Sequence, residues 1–171
     1  KVRLIGHSMA GMIISQIAEN MPNKIEKLIY VSAFLPKNGQ SLNGIVDKFL
    51  NGQQLDIFEF NEDYSLIGIK KEALPTVVCA DCPDQMKEVL VKYHRPDPVK
   101  ALNDVVNIGA NFNKVPKYYI STKNDNAVPF ELQQQMIKEN GGVKKVYEMN
   151  TSHLPFVVDP SRFIEIVREI N

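Results

Sequence analysis

Apolar positions along the chain follow two different spacings, and the alternation between them predicts an architecture. Residues 1–5, 27–32, 115–122 and 143–149 read as strands: the first as a buried parallel strand, 27–32 as a near-continuous, β-branched apolar run, the other two as a return of the strand pattern. Between the first two, residues 11–20 set Met12, Ile13, Ile17 and Met21 at roughly helical spacing, with Pro22-Asn23 as the stop. A second helix is predicted over 129–140, ended by Gly141-Gly142. A third, over 160–170, carries Phe163, Ile166, Val167 and Ile170 on one stripe. Strands joined through helices pair in parallel with right-handed crossovers, so the order predicts a doubly wound α/β fold.

The middle of the chain breaks this rhythm. After the loop Pro36-Lys37-Asn38-Gly39-Gln40 come short amphipathic pieces interrupted by Gly44, Gly52, Gly68, Pro75 and Pro83. Helical spacing returns over 84–94 (Met86, Val89, Leu90, Tyr93) and over 97–106, where Pro98 suits a first turn. A structureless loop of this length would be out of place in a compact domain, so the segment is read as a lid inserted between two strands. The predicted division is a core of residues 1–36 and 111–171 and a cap insertion of residues 37–110.

Composition narrows the function classes. The 171 residues suffice for one core; 44% are hydrophobic and 23% charged, as in soluble globular proteins. Twenty basic and twenty acidic residues cancel, so nothing in the charge balance attracts nucleic acid or an anionic membrane. No apolar run approaches the ~20 residues of a membrane span. No signal peptide precedes the first strand, although the chain begins without Met and already inside that strand, which leaves any export route unread. Cys79 and Cys82 form a C-x-x-C pair. Zinc would need two further ligands, and a thioredoxin-type motif would need a strand-to-helix context, so they are read as reduced thiols of a cytoplasmic protein.

Ligands of an open parallel sheet gather beyond the carboxyl ends of its strands. The first strand ends in Gly6-His7-Ser8-Met9-Ala10-Gly11, which matches G-x-S-x-A. A strand turning abruptly into a helix holds its turn residue at φ > 0 and needs small neighbours two positions either side, here Gly6 and Ala10. Gly11 is read as added slack. Ser8 as a plain helix cap is the competing reading. Asp125 follows the third strand and His153 the fourth, so a nucleophile, an acid and a base reach one edge in the order Ser, Asp, His. A serine hydroxyl needs an imidazole to take its proton, and the imidazole needs a carboxylate to fix its tautomer. Of three histidines, His7 adjoins Ser8 and is expected to point away, and His94 lies in the lid, which leaves His153. Asn124-Asp125-Asn126 also reads as an ordinary turn. Asp159, just before Pro160, is read as a helix N-cap. The Met9 N–H supplies one oxyanion donor; a second normally comes from a loop after an earlier strand, and this chain has no earlier strand.

Gly6-His7-Ser8-Met9-Ala10-Gly11-Met12, Tyr30-Val31-Ser32-Ala33-Phe34-Leu35-Pro36, Asp125-Asn126-Ala127-Val128-Pro129 and Thr151-Ser152-His153-Leu154-Pro155-Phe156 together resemble the α/β-hydrolase superfamily. More narrowly, they resemble small bacterial esterases similar to plant methylesterases and hydroxynitrile lyases. The resemblance runs through the whole chain. It implies a triad of Ser8, Asp125 and His153, and a small helical cap over the site within the inserted segment. Such proteins carry about four more strands and a His-Gly oxyanion loop before the elbow. The chain is therefore read as the C-terminal portion of a longer protein, weakly active or inert alone, since a missing donor costs on the order of a hundredfold.

The expected activity is hydrolysis of a small carboxylic ester through an acyl-enzyme, with no cofactor and no metal. Phe49, Phe58, Phe60 and Tyr64 would suit a partly apolar acyl or alcohol group, or serve simply as core. The alternatives are a hydroxynitrile lyase and a non-catalytic binding protein. The related lyases have a lysine directly after the catalytic histidine, where this chain has Leu154. The partner is a small-molecule ester rather than nucleic acid or membrane; homodimerisation is left open.

Overall fold

The computed structural model describes residues 1–170. It opens with strand β1 (Val2–His7), helix α1 (Ala10–Asn20), a 3₁₀ turn (Pro22–Lys24) and strand β2 (Ile25–Val31). An inserted segment follows, with α2 (Leu42–Leu50), β3 (Phe58–Phe60), β4 (Leu66–Ile69), α3 (Leu74–Val78), α4 (Asp84–Tyr93), β5 (Asp97–Pro98) and α5 (Val99–Asn103). The chain then returns through α6 (Ala110–Lys114), β6 (Lys117–Thr122), α7 (Phe130–Asn140), β7 (Val143–Met149), α8 (Pro155–Val158) and α9 (Pro160–Ile170).

β1, β2, β6 and β7 form a four-stranded sheet in that order, every pair parallel. β2 is central, and its alternation divides the core. Leu28 and Tyr30 face a cluster with Met12, Ile14, Phe112, Tyr119, Leu132 and Met136, drawn from α1, α6, β6 and α7. Ile29 and Val31 face the opposite cluster with Ile120, Tyr147, Ile166 and Ile170, which α9 closes. Helices on both faces are what a parallel sheet requires.

Three expectations are corrected here. Among the described residues β1 lies at the sheet edge beside β2 rather than buried, and Val2 and Ile5 are 54% and 49% exposed. The buried face of α1 is Met12, Ile14, Ser15 and Ala18, whereas Ile13 is 53% exposed. The elbow sets this rotation. Gly11 is pressed against the Phe34 backbone, where an added Cβ would sit 2.0 Å from the Phe34 carbonyl oxygen, so Gly11 is a steric requirement and not slack. The third correction concerns Cys79 and Cys82, which are joined in a disulfide. α3 ends at Cys79, and a turn in which the Cys82 N–H donates to the Cys79 carbonyl brings the Cα atoms to 5.1 Å, within bridging range.

The inserted segment is less helical than expected: β3, β4 and β5 form a separate antiparallel sheet. Elsewhere local chemistry acts as read. Gly141 ends α7 at φ 67°, and Asp159 caps α9 by accepting from the Arg162 N–H at 3.0 Å.

Candidate active site

Ser8 sits at φ 54°, a left-handed conformation that a non-glycine residue adopts only under constraint. The constraint is visible. Its N–H donates to the Val31 carbonyl (3.2 Å), and its own carbonyl accepts from Gly11 and Phe34 N–H groups (3.1 Å each). A Cβ at Gly6 would meet Ile14 Cδ1 at 2.8 Å and the Ala10 carbonyl oxygen at 3.0 Å, so the small residue there is needed for strand and helix to close up. Met9 is the N-cap of α1 and makes no side-chain cap bond.

Asp125, in the loop after β6, is held by five donors, the longest contact being from Gln133 Nε2 to Oδ2 at 3.4 Å. Oδ1 accepts from the N–H groups of Ala127 (2.9 Å) and Val128 (2.8 Å). Oδ2 accepts from the Thr122 hydroxyl (2.8 Å) and from His153 Nδ1 (2.8 Å). The turn reading of Asp125 is therefore compatible with its contact to His153: Oδ1 caps the turn and Oδ2 is left to meet the imidazole. Both side chains are almost wholly buried. An ionised carboxylate only accepts, so Nδ1 carries the ring proton and Nε2 is left as acceptor. The sequence offers few signals for Thr122 and none for Gln133, a fully buried amide that brackets the loop by donating to the Val128 carbonyl (2.7 Å) and accepting from the Thr122 N–H (3.1 Å).

His7 packs against His153, a contact that the sequence reading does not include. Its ring packs on that of His153, centroids 4.4 Å apart, and meets Phe156 edge-on at 5.1 Å. Nε2 lies 2.8 Å from the His153 carbonyl oxygen, which can only accept, so that nitrogen carries the hydrogen. Burial, and then the neighbouring His153, push the His7 pKa down to about 4, so the ring is neutral near pH 7. The contact spans 146 positions, and no local pattern announces it.

Ser8, Met9, His7 and His153 all line one cavity of about 350 Å³, with no hydrogen bond between the Ser8 hydroxyl and the His153 ring. Such contacts are commonly long before substrate binds. The core contributes Phe34, Val128 and Leu132 to the walls; the inserted segment contributes Leu42, Phe49, Ile57, Phe58, Leu74 and Val77. Of the four aromatics expected there, Phe60 and Tyr64 instead pair with each other at 5.6 Å, largely exposed. His94 reaches the cavity from the inserted segment. Among the described residues, no group of His, Cys, Asp and Glu is placed to hold a metal ion, and no helix is long and apolar enough to cross a membrane.

A parallel sheet with a serine elbow after one strand and an Asp–His pair after two others is the fold of the α/β hydrolases. Solved structures agree. Polyneuridine aldehyde esterase superposes with a TM-score of 0.85 at 22% identity, over 99% of this chain and 71% of that one. A pyrethroid hydrolase from Sphingobium faniae JZ-2 also gives 0.85, at 25% identity, over 98% of this chain and 69% of that one. Within that fold the sequence is most readily compared with plant methylesterases. Putative methylesterase 13 (chloroplastic) of Arabidopsis thaliana is 28% identical over 180 residues, covering 100% of this chain and 40% of the relative. Methylesterase 1 of the same plant is 26% identical over 99% of this chain and 69% of its own length. The chain spans 40%, 46% and 52% of three of these curated relatives. No family model matches the sequence.

Proposed function

We propose that the protein cleaves small carboxylic esters through a covalent acyl-enzyme. Ser8 Oγ attacks the ester carbonyl while His153 Nε2 takes the hydroxyl proton. The Met9 N–H, at the amino end of α1, donates to the oxyanion of the tetrahedral intermediate. His153 then returns the proton to the departing alkoxide, leaving an acyl group on Ser8. Water, deprotonated by the same nitrogen, releases the acid and restores the serine. Asp125 keeps the Nδ1 proton in place and stabilises the imidazolium formed in each half-reaction.

The observation that carries this reading is that His153, held by Asp125 at 2.8 Å, lines the same cavity as a serine at φ 54°. Methylesterases and esterases among the relatives and structural neighbours support the reaction class. The largely apolar walls suit an ester with an apolar acyl or alcohol group. Residues 37–110 act as the cap unit over a core of 1–36 and 111–171, because their side chains form much of the cavity wall. The Cys79–Cys82 bridge removes the ground on which a cytoplasmic setting was expected, since bridges are rare in that compartment.

The test uses the full natural chain. Hydrolysis of p-nitrophenyl acetate is expected, with loss of all but residual turnover in Ser8→Ala. A fluorophosphonate is expected to label Ser8, located by mass spectrometry. Undiminished turnover in Ser8→Ala would discard the mechanism, and cyanide release from mandelonitrile would replace the esterase by a lyase.

A further inference from the structure

Two hydrogen bonds reach from the end of α3 and the turn after it to the two loops carrying the acid and the base. Asp81 Oδ2 accepts from the Ser152 backbone N–H at 2.8 Å, one residue before His153. The Thr76 carbonyl accepts from Asn126 Nδ2 at 2.9 Å, one residue after Asp125. Both contacts cross between parts of the chain far apart in sequence, by 71 and 50 positions.

The piece that makes these contacts is covalently closed. The Cys79–Cys82 bridge forms a ring with Asp81 inside it. Both cysteines are buried, whereas Asp81 is exposed. An exposed carboxylate on an open turn loses much backbone and side-chain entropy on making a single contact. A closed ring has surrendered most of the backbone share already, so the contact is better populated. Ser152 itself is buried, and its hydroxyl has no hydrogen-bond partner, so its N–H to Asp81 is the polar contact that ties it to this turn.

We propose that Asp81 is a positioning residue for His153, and that the Cys79–Cys82 ring is the brace that holds it. His7 grips the His153 carbonyl, and Asp81 grips the N–H one residue earlier. The base is thereby fixed from both sides of its own peptide. Only the kinetic consequence rests on the ester-hydrolase reading; the mechanical brace does not.

The experiment compares Asp81→Ala, Asp81→Asn and the double variant Cys79→Ser/Cys82→Ser in the full chain. Asp81→Ala removes the acceptor, and kcat for p-nitrophenyl acetate is expected to fall about tenfold while KM changes by less than about twofold. Asp81→Asn retains an amide oxygen as acceptor and is expected to recover most of kcat. The double cysteine variant should follow Asp81→Ala, and in both hydrogen–deuterium exchange over residues 149–155 should accelerate. Wild-type kcat in Asp81→Ala, or unchanged exchange in that segment, overturns the proposal. Accelerated exchange together with ester turnover surviving Ser8→Ala keeps the brace and removes the ester mechanism instead.

Discussion

His7 shows what one residue can do when a neighbour far along the chain closes on it. Its neutral ring supplies both a flat surface for the His153 imidazole and a hydrogen for the His153 carbonyl. Its pKa is about 4 in the folded protein against an ordinary 6.5, so between those values the unfolded chain binds a proton that the folded chain refuses. Stability therefore falls as the pH drops from 6.5 toward 4, and rises again with pH through the same window. Thermal unfolding followed across that range is expected to show the slope in the wild type and a reduced slope in His7→Gln, which keeps a donor but does not titrate. An equal slope in both proteins would place the titration elsewhere. Gly11 makes the second residue-scale case. Gly11→Ala drives a methyl into the Phe34 carbonyl, and the backbone there cannot rotate out of the way as a side chain would. A loss of about 3 kcal/mol is expected, read as a lower denaturant midpoint.

At the scale of elements, strands with two neighbours behave as their apolar runs suggest, and the edge strand does not. β2 and β6 are buried almost throughout, to the point that Lys117 at the start of β6 is 1% exposed. Lys117 is tolerated because its ammonium donates to the Phe112 and Val115 carbonyls at the end of α6 (2.9 and 3.1 Å) and lies 4.1 Å from the Phe112 ring centre. Burial pushes its pKa down to about 8. β1 by contrast carries two exposed aliphatic side chains, Val2 and Ile5.

For the whole molecule, the order β1-β2-β6-β7 brings the ends of β1, β6 and β7 onto one rim, with the inserted segment walling the cavity there. The elbow, both loops and the capping of α9 were legible because each depends on residues within a few positions of one another: Gly6 with Ala10, Asp125 with Val128, Asp159 with Arg162. The helix face that would be buried, the pairing of Cys79 with Cys82 and the grip of His7 on His153 were not. Each depends on which distant segment lies alongside, and the apolar pattern carries no record of that neighbour. β3, β4 and β5 were missed for a related reason: runs of 3, 4 and 2 residues are too short to display a period.

The sequence by itself determined the α/β order and the turns at Ser8 and Asp125, since periodicity, small-residue spacing and turn formation are local effects. Tertiary structure alone decided that His153 meets Asp125, that His7 turns inward, and that Asp81 reaches Ser152. Those contacts join segments 28, 146 and 71 residues apart, and only the packing of helices against both faces of the sheet sets the distances between them.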